Sequence, residues 1–410
     1  MIQTITIITN FVKRRGVKLW VIFVCALVIF SSGCNAGAFS ERRHNKSAGG
    51  SEVASILALP PGGWSGSPVS AVRILVPANA GRVSWSPQGE IAFSLFDHMV
   101  GGILRPNIYI MTGNGADRRC VTCNNTEVPH VSDDVPVFSP NGKFIVFEGE
   151  DPSLGFVPSQ LSQGGAGFDN NLWAITPNGK YAWQLTNIKR GEAVLHPQFS
   201  PNGTELAWAG YDRTSPLTRG YWDIHTANFM VNADGVPHLD NERVYRPGSA
   251  TSSTFYETHV LTSNNRLFFS SNMDSPYETT CPACALGIWS WDVGSNEPPS
   301  LLTPNTSSWN EHAALASSGH IAWVTSEGEK FIPTRHWQTT LRTDWWLMSS
   351  DGQNKQRITY FNTSGHEQDR VICADSSWNA AGTQLVGTVD VITPTGSTTV
   401  IIVLGFNSPQ

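Results

Sequence analysis

The sequence predicts an all-β fold: a six-bladed β-propeller of four-stranded antiparallel blades, closed into a ring by a strand from the N-terminal side. Three observations predict it. Charged residues make up only 15% of the 410, against a usual ~25%, while Gly (37), Pro (25) and Trp (15) are plentiful, a composition of turns and aromatic strands rather than long helices or charged disorder. A strand–turn–strand unit recurs six times. The last unit lacks a strand that a segment ahead of the first unit can supply.

The first segment, 1–33, reads as a lipoprotein-type signal peptide. Lys13, Arg14, Arg15 and Lys18 precede the unbroken apolar run Leu19 to Phe30, which is too short for the ~20 residues of a membrane-spanning helix. Ser31-Ser32-Gly33-Cys34 follows and resembles a bacterial lipobox, which makes Cys34 the candidate lipidation site. A plain secreted protein and an uncleaved anchor are the alternatives. Cleavage before Cys34 leaves 23 Lys+Arg against 33 Asp+Glu, an acidic chain with no dense basic cluster, which argues against nucleic-acid binding. Residues 34–68, rich in Gly, Ser, Ala and Pro, are expected to be a flexible tether, and 69–410 the propeller.

The repeat units begin at VSWSPQGEIAFS (83–94), VPVFSPNGKFIVFEG (135–149), HPQFSPNGTELAWAG (196–210), HVLTSNNRLFFSS (259–271), AALASSGHIAWVTS (313–326) and SSWNAAGTQLVGTV (376–389). Anchored on Trp85, Phe138, Phe199, Leu261, Leu315 and Trp378, their spacings are 53, 61, 62, 54 and 63 residues. Each is a short apolar strand, a turn of the Ser-Pro-Asn-Gly type and a second alternating strand. Two further strands follow, with hairpin signals at Asn114-Gly115, Asn178-Gly179 and Asp351-Gly352. The sixth unit ends after the strand Thr398 to Phe406. Ala71 to Pro77 matches the fourth strand of the other units and is expected to complete the final blade.

The run Phe138-Ser139-Pro140-Asn141-Gly142-Lys143, with Ile145 and Phe147 and the downstream Asn171-Leu172-Trp173, Asn178-Gly179 and Leu185-Thr186, resembles the TolB-like, WD40-like (PD40) propeller repeats of bacterial periplasmic proteins. The resemblance covers 71–406 and implies a six-bladed propeller outside the cytoplasm. It implies no particular activity, because the fold serves binding proteins, peptidase accessory domains and some lyases.

Polar residues recur just upstream of the turn strands, where a propeller has its channel. These channel-mouth candidates are Glu192 and His196, Glu257 and His259, Glu311 and His312, and His366 and Glu367, with Asp133, Asp134 and Asp375 beside them. Imidazoles and carboxylates converging on one channel suit a divalent cation such as Mn, Zn or Ca. The set resembles in outline the metal site of propeller-fold oligogalacturonide lyases, which would make His196, His259 and His312 ligands and His366 or Gln368 a fourth. The leading expectation is a wet channel lining with no cofactor, where ordered water partners these groups, and a bound divalent cation is the alternative. No nucleophile elbow, H-E-x-x-H, P-loop or dinucleotide motif is present, and no catalytic residue is assigned.

Cys120/Cys123 and Cys281/Cys284 are expected to form local disulfides, with separate metal or redox roles as the alternative, and Cys373 to be a small buried hydrophobe. The sequence thus predicts a monomeric lipoprotein of the periplasm or cell surface that binds an envelope protein or a small ligand at the channel mouth without turnover. The alternatives are a metal-dependent lyase or hydrolase on acidic saccharides and a structural envelope scaffold.

Overall fold

Six four-stranded antiparallel sheets surround a central channel in the computed structural model, which describes residues 48–154, 167–212, 221–248, 251, 254–276, 285–304, 307–329, 331, 339–362 and 369–410. Blade 1 is β2 (Ala80–Trp85), β3 (Glu90–Val100), β4 (Ile103–Thr112) and β5 (Arg119–Cys120). Blade 2 is β6 (Asp133–Phe138), β7 (Ile145–Glu150), β8 (Asn170–Ile175) and β9 (Ala182–Gln184). Blade 3 is β10 (Ala193–Phe199), β11 (Glu205–Asp212), β12 (Tyr221–Val231) and β13 (Pro237–Tyr245). Blade 4 is β14 (Tyr256–Leu261), β15 (Arg266–Ser271), β16 (Gly287–Asp292) and β17 (Ser300–Leu301). Blade 5 is β18 (Asn310–Leu315), β19 (His320–Thr325), β20 (Asp344–Ser349) and β21 (Gln356–Arg357). Blade 6 is β22 (Arg370–Trp378), β23 (Gln384–Thr393), β24 (Gly396–Phe406) and, from the other end of the chain, β1 (Val69–Val76).

The expected closure is therefore present. β1 pairs antiparallel with β24 from Val69 opposite Phe406 to Val76 opposite Ile401, so the sixth blade joins both ends of the ring and no blade is left short.

Two local devices explain why the repeat folds this way. The turn after each inner strand needs a left-handed residue in its fourth place, and Gly89, Gly142, Gly203, Gly319 and Gly382 supply it with φ between 65° and 92°. Blade 4 has Asn265 there, at φ 64°, because asparagine tolerates this region better than other side chains. The threonine that follows an aliphatic residue at the end of the repeat is the second device. Thr122, Thr186, Thr303 and Thr359 each accept, through Oγ1, the backbone N–H of a third-strand residue (Ile108, Leu172, Ile288 and Trp345) at 2.8–3.1 Å. The threonine thus satisfies an amide beyond the short outer strand's ladder.

Apolar side chains of adjacent blades interleave to form the core, with Trp208, Trp323, Trp345, Phe147 and Phe269 at 2% exposure or less. Burying one such ring contributes roughly 1.5–3 kcal/mol. The expected flexible tether needs correction from Ala48 onward. Gly50–Ile56 is a short helix, α1, whose Val53 and Ile56 are buried with Leu57 in the largest apolar cluster. Glu52 accepts a hydrogen bond from Thr395 Oγ1 at 2.9 Å, and Trp64 packs edge-on against Phe361 with ring centres 5.2 Å apart. The composition of this stretch is loop-like, but its few large apolar residues find a surface to cover.

Cys120 and Cys123 form the expected local disulfide at the end of β5, and Cys373 is free and buried. Cys34, Cys281 and Cys284 lie outside the described residues. Among the described residues no helix is long and apolar enough to cross a membrane.

Candidate metal centre

The inner strands β2, β6, β10, β14, β18 and β22 share one irregularity. Each has a register shift against its neighbour in the same part of the strand: Ala80/Val83, Asp134/Val137, Leu195/Gln198, Thr258/Val260, Glu311/Ala314 and Cys373/Ser376. A bulge re-aims the side chain it carries. The residues carried there include Arg82, Val135, His196, His259, His312 and Asp375, all of which line the central cavity. Val135, His196 and His312 reach their positions at φ 52–54°, a conformation that a β-branched valine adopts only when the surrounding fold holds it.

The three imidazoles form a nearly equilateral triangle, with ring centres 5.8, 5.9 and 6.1 Å apart. Glu257, two residues before His259 on β14, completes the group: one donor atom from each of His196, Glu257, His259 and His312 lies within 4.8 Å of the others. His196 Nδ1 is 3.1 Å from Glu257 Oε1 and 3.7 Å from Asp375 Oδ1. His312 Nδ1 is 3.3 Å from Asp375 Oδ1, and its Nε2 is 3.1 Å from Glu311 Oε2. All four members are buried, Glu257 completely.

Surrounding groups fix the members. His259 Nε2 meets Ser270 Oγ at 2.6 Å, which fixes the ring and leaves Nδ1 as its other nitrogen. The His196 amide donates to Glu148 Oε1 at 2.9 Å, and its carbonyl accepts from Thr258 Oγ1 at 2.5 Å, tying blade 3 to blades 2 and 4. Arg82 lies between Asp134 Oδ2 at 3.2 Å and Asp375 Oδ2 at 3.4 Å.

Burial sets the protonation states. Desolvation pushes His196 down to about 3, and desolvation together with the other two histidines holds His259 well below its ordinary value, so both rings are neutral and carry lone pairs. Burial also acts against a charge on His312, but Asp375 and Glu311 outweigh it and raise that ring. Desolvation, then the neighbouring Glu311, drive Glu257 well above the ordinary carboxylate range. Asp375 stays ionised because His312, His196 and Arg82 overcome its desolvation.

The donor set fits a divalent metal ion. Neither oxygen of Glu257 nor Nε2 of His196 has a hydrogen-bond partner of good geometry among the described residues. Leaving such atoms buried costs about 1–3 kcal/mol each, more for charged groups, unless a cation or water meets them. Three imidazoles and a carboxylate are borderline-soft donors suited to Zn or Mn, whereas Ca takes six to eight oxygens.

Four predicted site residues meet here, His196, Glu257, His259 and His312, with Glu311 against His312. They lie inside the channel rather than at an exposed mouth. Glu192 is not among them: it sits just before β10, where its carboxylate accepts the Lys189 amide at 2.8 Å. His366, Glu367 and Gln368 lie outside the described residues, and the fourth donor among the described residues is Glu257. Sequence reasoning missed Arg82 and Glu148. Arg82 was detectable, because it stands three residues before its anchor Trp85, as His196, His312 and Asp375 stand before theirs.

A cavity of about 450 Å³ leads from the ring past Trp85, Phe138, Phe199 and Trp378 to the inner-strand turns, where Pro87 and Pro201 line it. Its walls are mixed: these rings and prolines stand beside Ser84, Gln198, Ser376, Ser377 and Asn379.

No protein-family model and no curated protein matches the chain. Among solved structures it is similar to a putative TolB from Agrobacterium tumefaciens, at 14% identity and a TM-score of 0.46 over 70% of this chain and 83% of that one. It is also similar to TolB from Acinetobacter baumannii, at 13% identity and 0.45 over 82% of this chain and 65% of that one. A third likeness is to an oligogalacturonate lyase in complex with manganese, at 9% identity and 0.43 over 83% of this chain and 94% of that one. At such identities the likeness is one of architecture and assigns no activity.

Proposed function

We propose that this protein is a metal-binding propeller that holds a divalent cation, Zn or Mn, at His196, Glu257, His259 and His312 and uses it to bind a small ligand in the channel. The observation that carries the reading is the donor set itself: four buried side chains from three blades with one donor atom each within 4.8 Å of the others, where Glu257 and His196 Nε2 lack hydrogen-bond partners of good geometry among the described residues. A bound cation would act as a Lewis acid toward a ligand donor atom. The protein's own contribution is to keep His196 and His259 neutral and to hold them through Glu148, Thr258 and Ser270.

The leader supports export, and Ser31-Ser32-Gly33-Cys34 supports lipid attachment at Cys34, so we place the propeller in the periplasm or at the cell surface. Binding is favoured over turnover of an acidic saccharide. Arg82 is the only Lys or Arg among the described residues lining the cavity, and it already lies between two aspartates.

The test is equilibrium dialysis of the purified protein against Zn and Mn followed by elemental analysis, beside the triple change of His196, His259 and His312 to Ala. The expected result is close to one ion per chain, lost in the triple variant while its circular dichroism stays that of a β protein. Equal metal content in the two proteins, or none in either, refutes the proposal.

A further inference from the structure

The cavity beneath the ring constrains what can reach a cation held there. Its volume of about 450 Å³ is in the range of small-molecule sites, roughly 300–1,000 Å³, and too small to enclose a polymer. Its wall carries one aromatic anchor from each of four blades: Trp85, Phe138, Phe199 and Trp378. Two of its hydroxyls already take part in lacing blades together. Ser84 Oγ accepts the Phe138 amide at 3.2 Å, and Ser377 Oγ accepts the Trp85 amide at 2.9 Å.

Charge narrows the choice further. Asp134, Glu148, Glu257, Glu311 and Asp375 stand in or against the ring, and Arg82 is the cation beside them. Once a metal is held, Glu257 is ionised and the three imidazoles are neutral, as ligation requires, and five carboxylates against one guanidinium and one divalent ion leave a site still formally negative by two. In a buried, low-dielectric position that excess repels a further anion. A protonated amine, in turn, has no lone pair to offer a metal.

We infer that the ligand of this channel is a neutral molecule with a nitrogen or oxygen donor head, which meets the cation, and a compact apolar body, which fills the aromatic-walled cavity toward the turns. The inference rests on the metal reading of the ring and adds to it the class of ligand, excluding anions such as uronates.

The full chain, purified in detergent and loaded with Co(II), provides the test, because cobalt's visible bands report its ligands without any assay of activity. 4-Phenylimidazole at pH 8 is neutral and combines a donor head with an apolar body. It is expected to shift the bands saturably, at least tenfold more tightly than imidazole, whereas benzoate and galacturonate at equal concentration leave them unchanged. If benzoate or galacturonate binds as tightly as 4-phenylimidazole, the charge argument is overturned. If imidazole matches 4-phenylimidazole, the apolar body has no site. Both of those failures leave the metal reading intact. A protein that takes up no Co(II) overturns the metal reading and this inference together.

Discussion

Asp133 begins the inner strand of blade 2 with a side chain buried completely, and desolvation, aided by the neighbouring Asp134 charge, lifts it from 3.8 to about 7 despite the opposing pull of Thr122. A carboxyl raised on folding binds its proton more tightly in the folded state. The contribution of Asp133 to stability is therefore greatest below pH ~4 and falls as pH rises from there to about 7, by a few kcal/mol at most. Asp133→Asn is expected to melt higher than the parent at pH 8, with the gap closing toward pH 5. Melting curves that stay parallel across that range would contradict this. Glu257 gives a second test. Glu257→Gln removes a buried acid whose ionisation desolvation opposes, so the metal-free variant is expected to melt at or above the metal-free parent at neutral pH and above. The same change should lower affinity for Zn or Mn by at least tenfold, measured by competition with a chromophoric chelator. Unchanged affinity would remove Glu257 from the donor set.

At the scale of single elements, tight turns and close approaches set the tolerances. A Cβ built on Gly387, in β23, would lie 2.3 Å from Trp345 Cζ2, and Trp345 is fully buried. Gly387→Ala is expected to cost about 1–3 kcal/mol by overpacking. Gly319→Asn, in an inner-strand turn where added atoms meet open space, should cost less than ~1 kcal/mol, since Asn265 holds the same place in blade 4. Urea titrations that rank these two in the opposite order would refute the packing argument.

The same elements explain what the sequence made legible. Turn chemistry repeats, so the six units and the closing strand could be read from Ser-Pro-Asn-Gly and its variants before any sheet was seen. The inner-strand bulge has no such signature, because it changes the pairing register and not the composition. His259 therefore looks one residue out of place in sequence, yet it faces His196 and His312 in space. Glu192 precedes a histidine of its unit as Glu257 does, though four residues ahead and not two, and it stands ahead of its strand, tied to a loop amide. Arg82 was overlooked because a search for imidazoles and acids ignores a cation at the equivalent place. α1 was hidden by a Gly- and Ser-rich context in which only Val53, Ile56 and Leu57 reveal a buried face.

For the whole molecule, closure and the channel centre are one problem. The donors come from blades 3, 4 and 5, with Asp375 from blade 6 and Arg82 from blade 1 in support, so the cluster depends on the ring's holding its shape. Starting the chain after Val76 removes β1, exposes the edge of β24 and should abolish cooperative unfolding and metal uptake together. Adding back a separate Val69–Val76 peptide should restore part of both. A truncated chain that binds metal like the parent would separate the site from the closure. The most direct measurement is anomalous diffraction from crystals soaked in Zn or Mn. We expect one strong peak bounded by His196, Glu257, His259 and His312. Ordered side chains at these four positions with no peak between them, under saturating metal, would contradict the metal-binding reading.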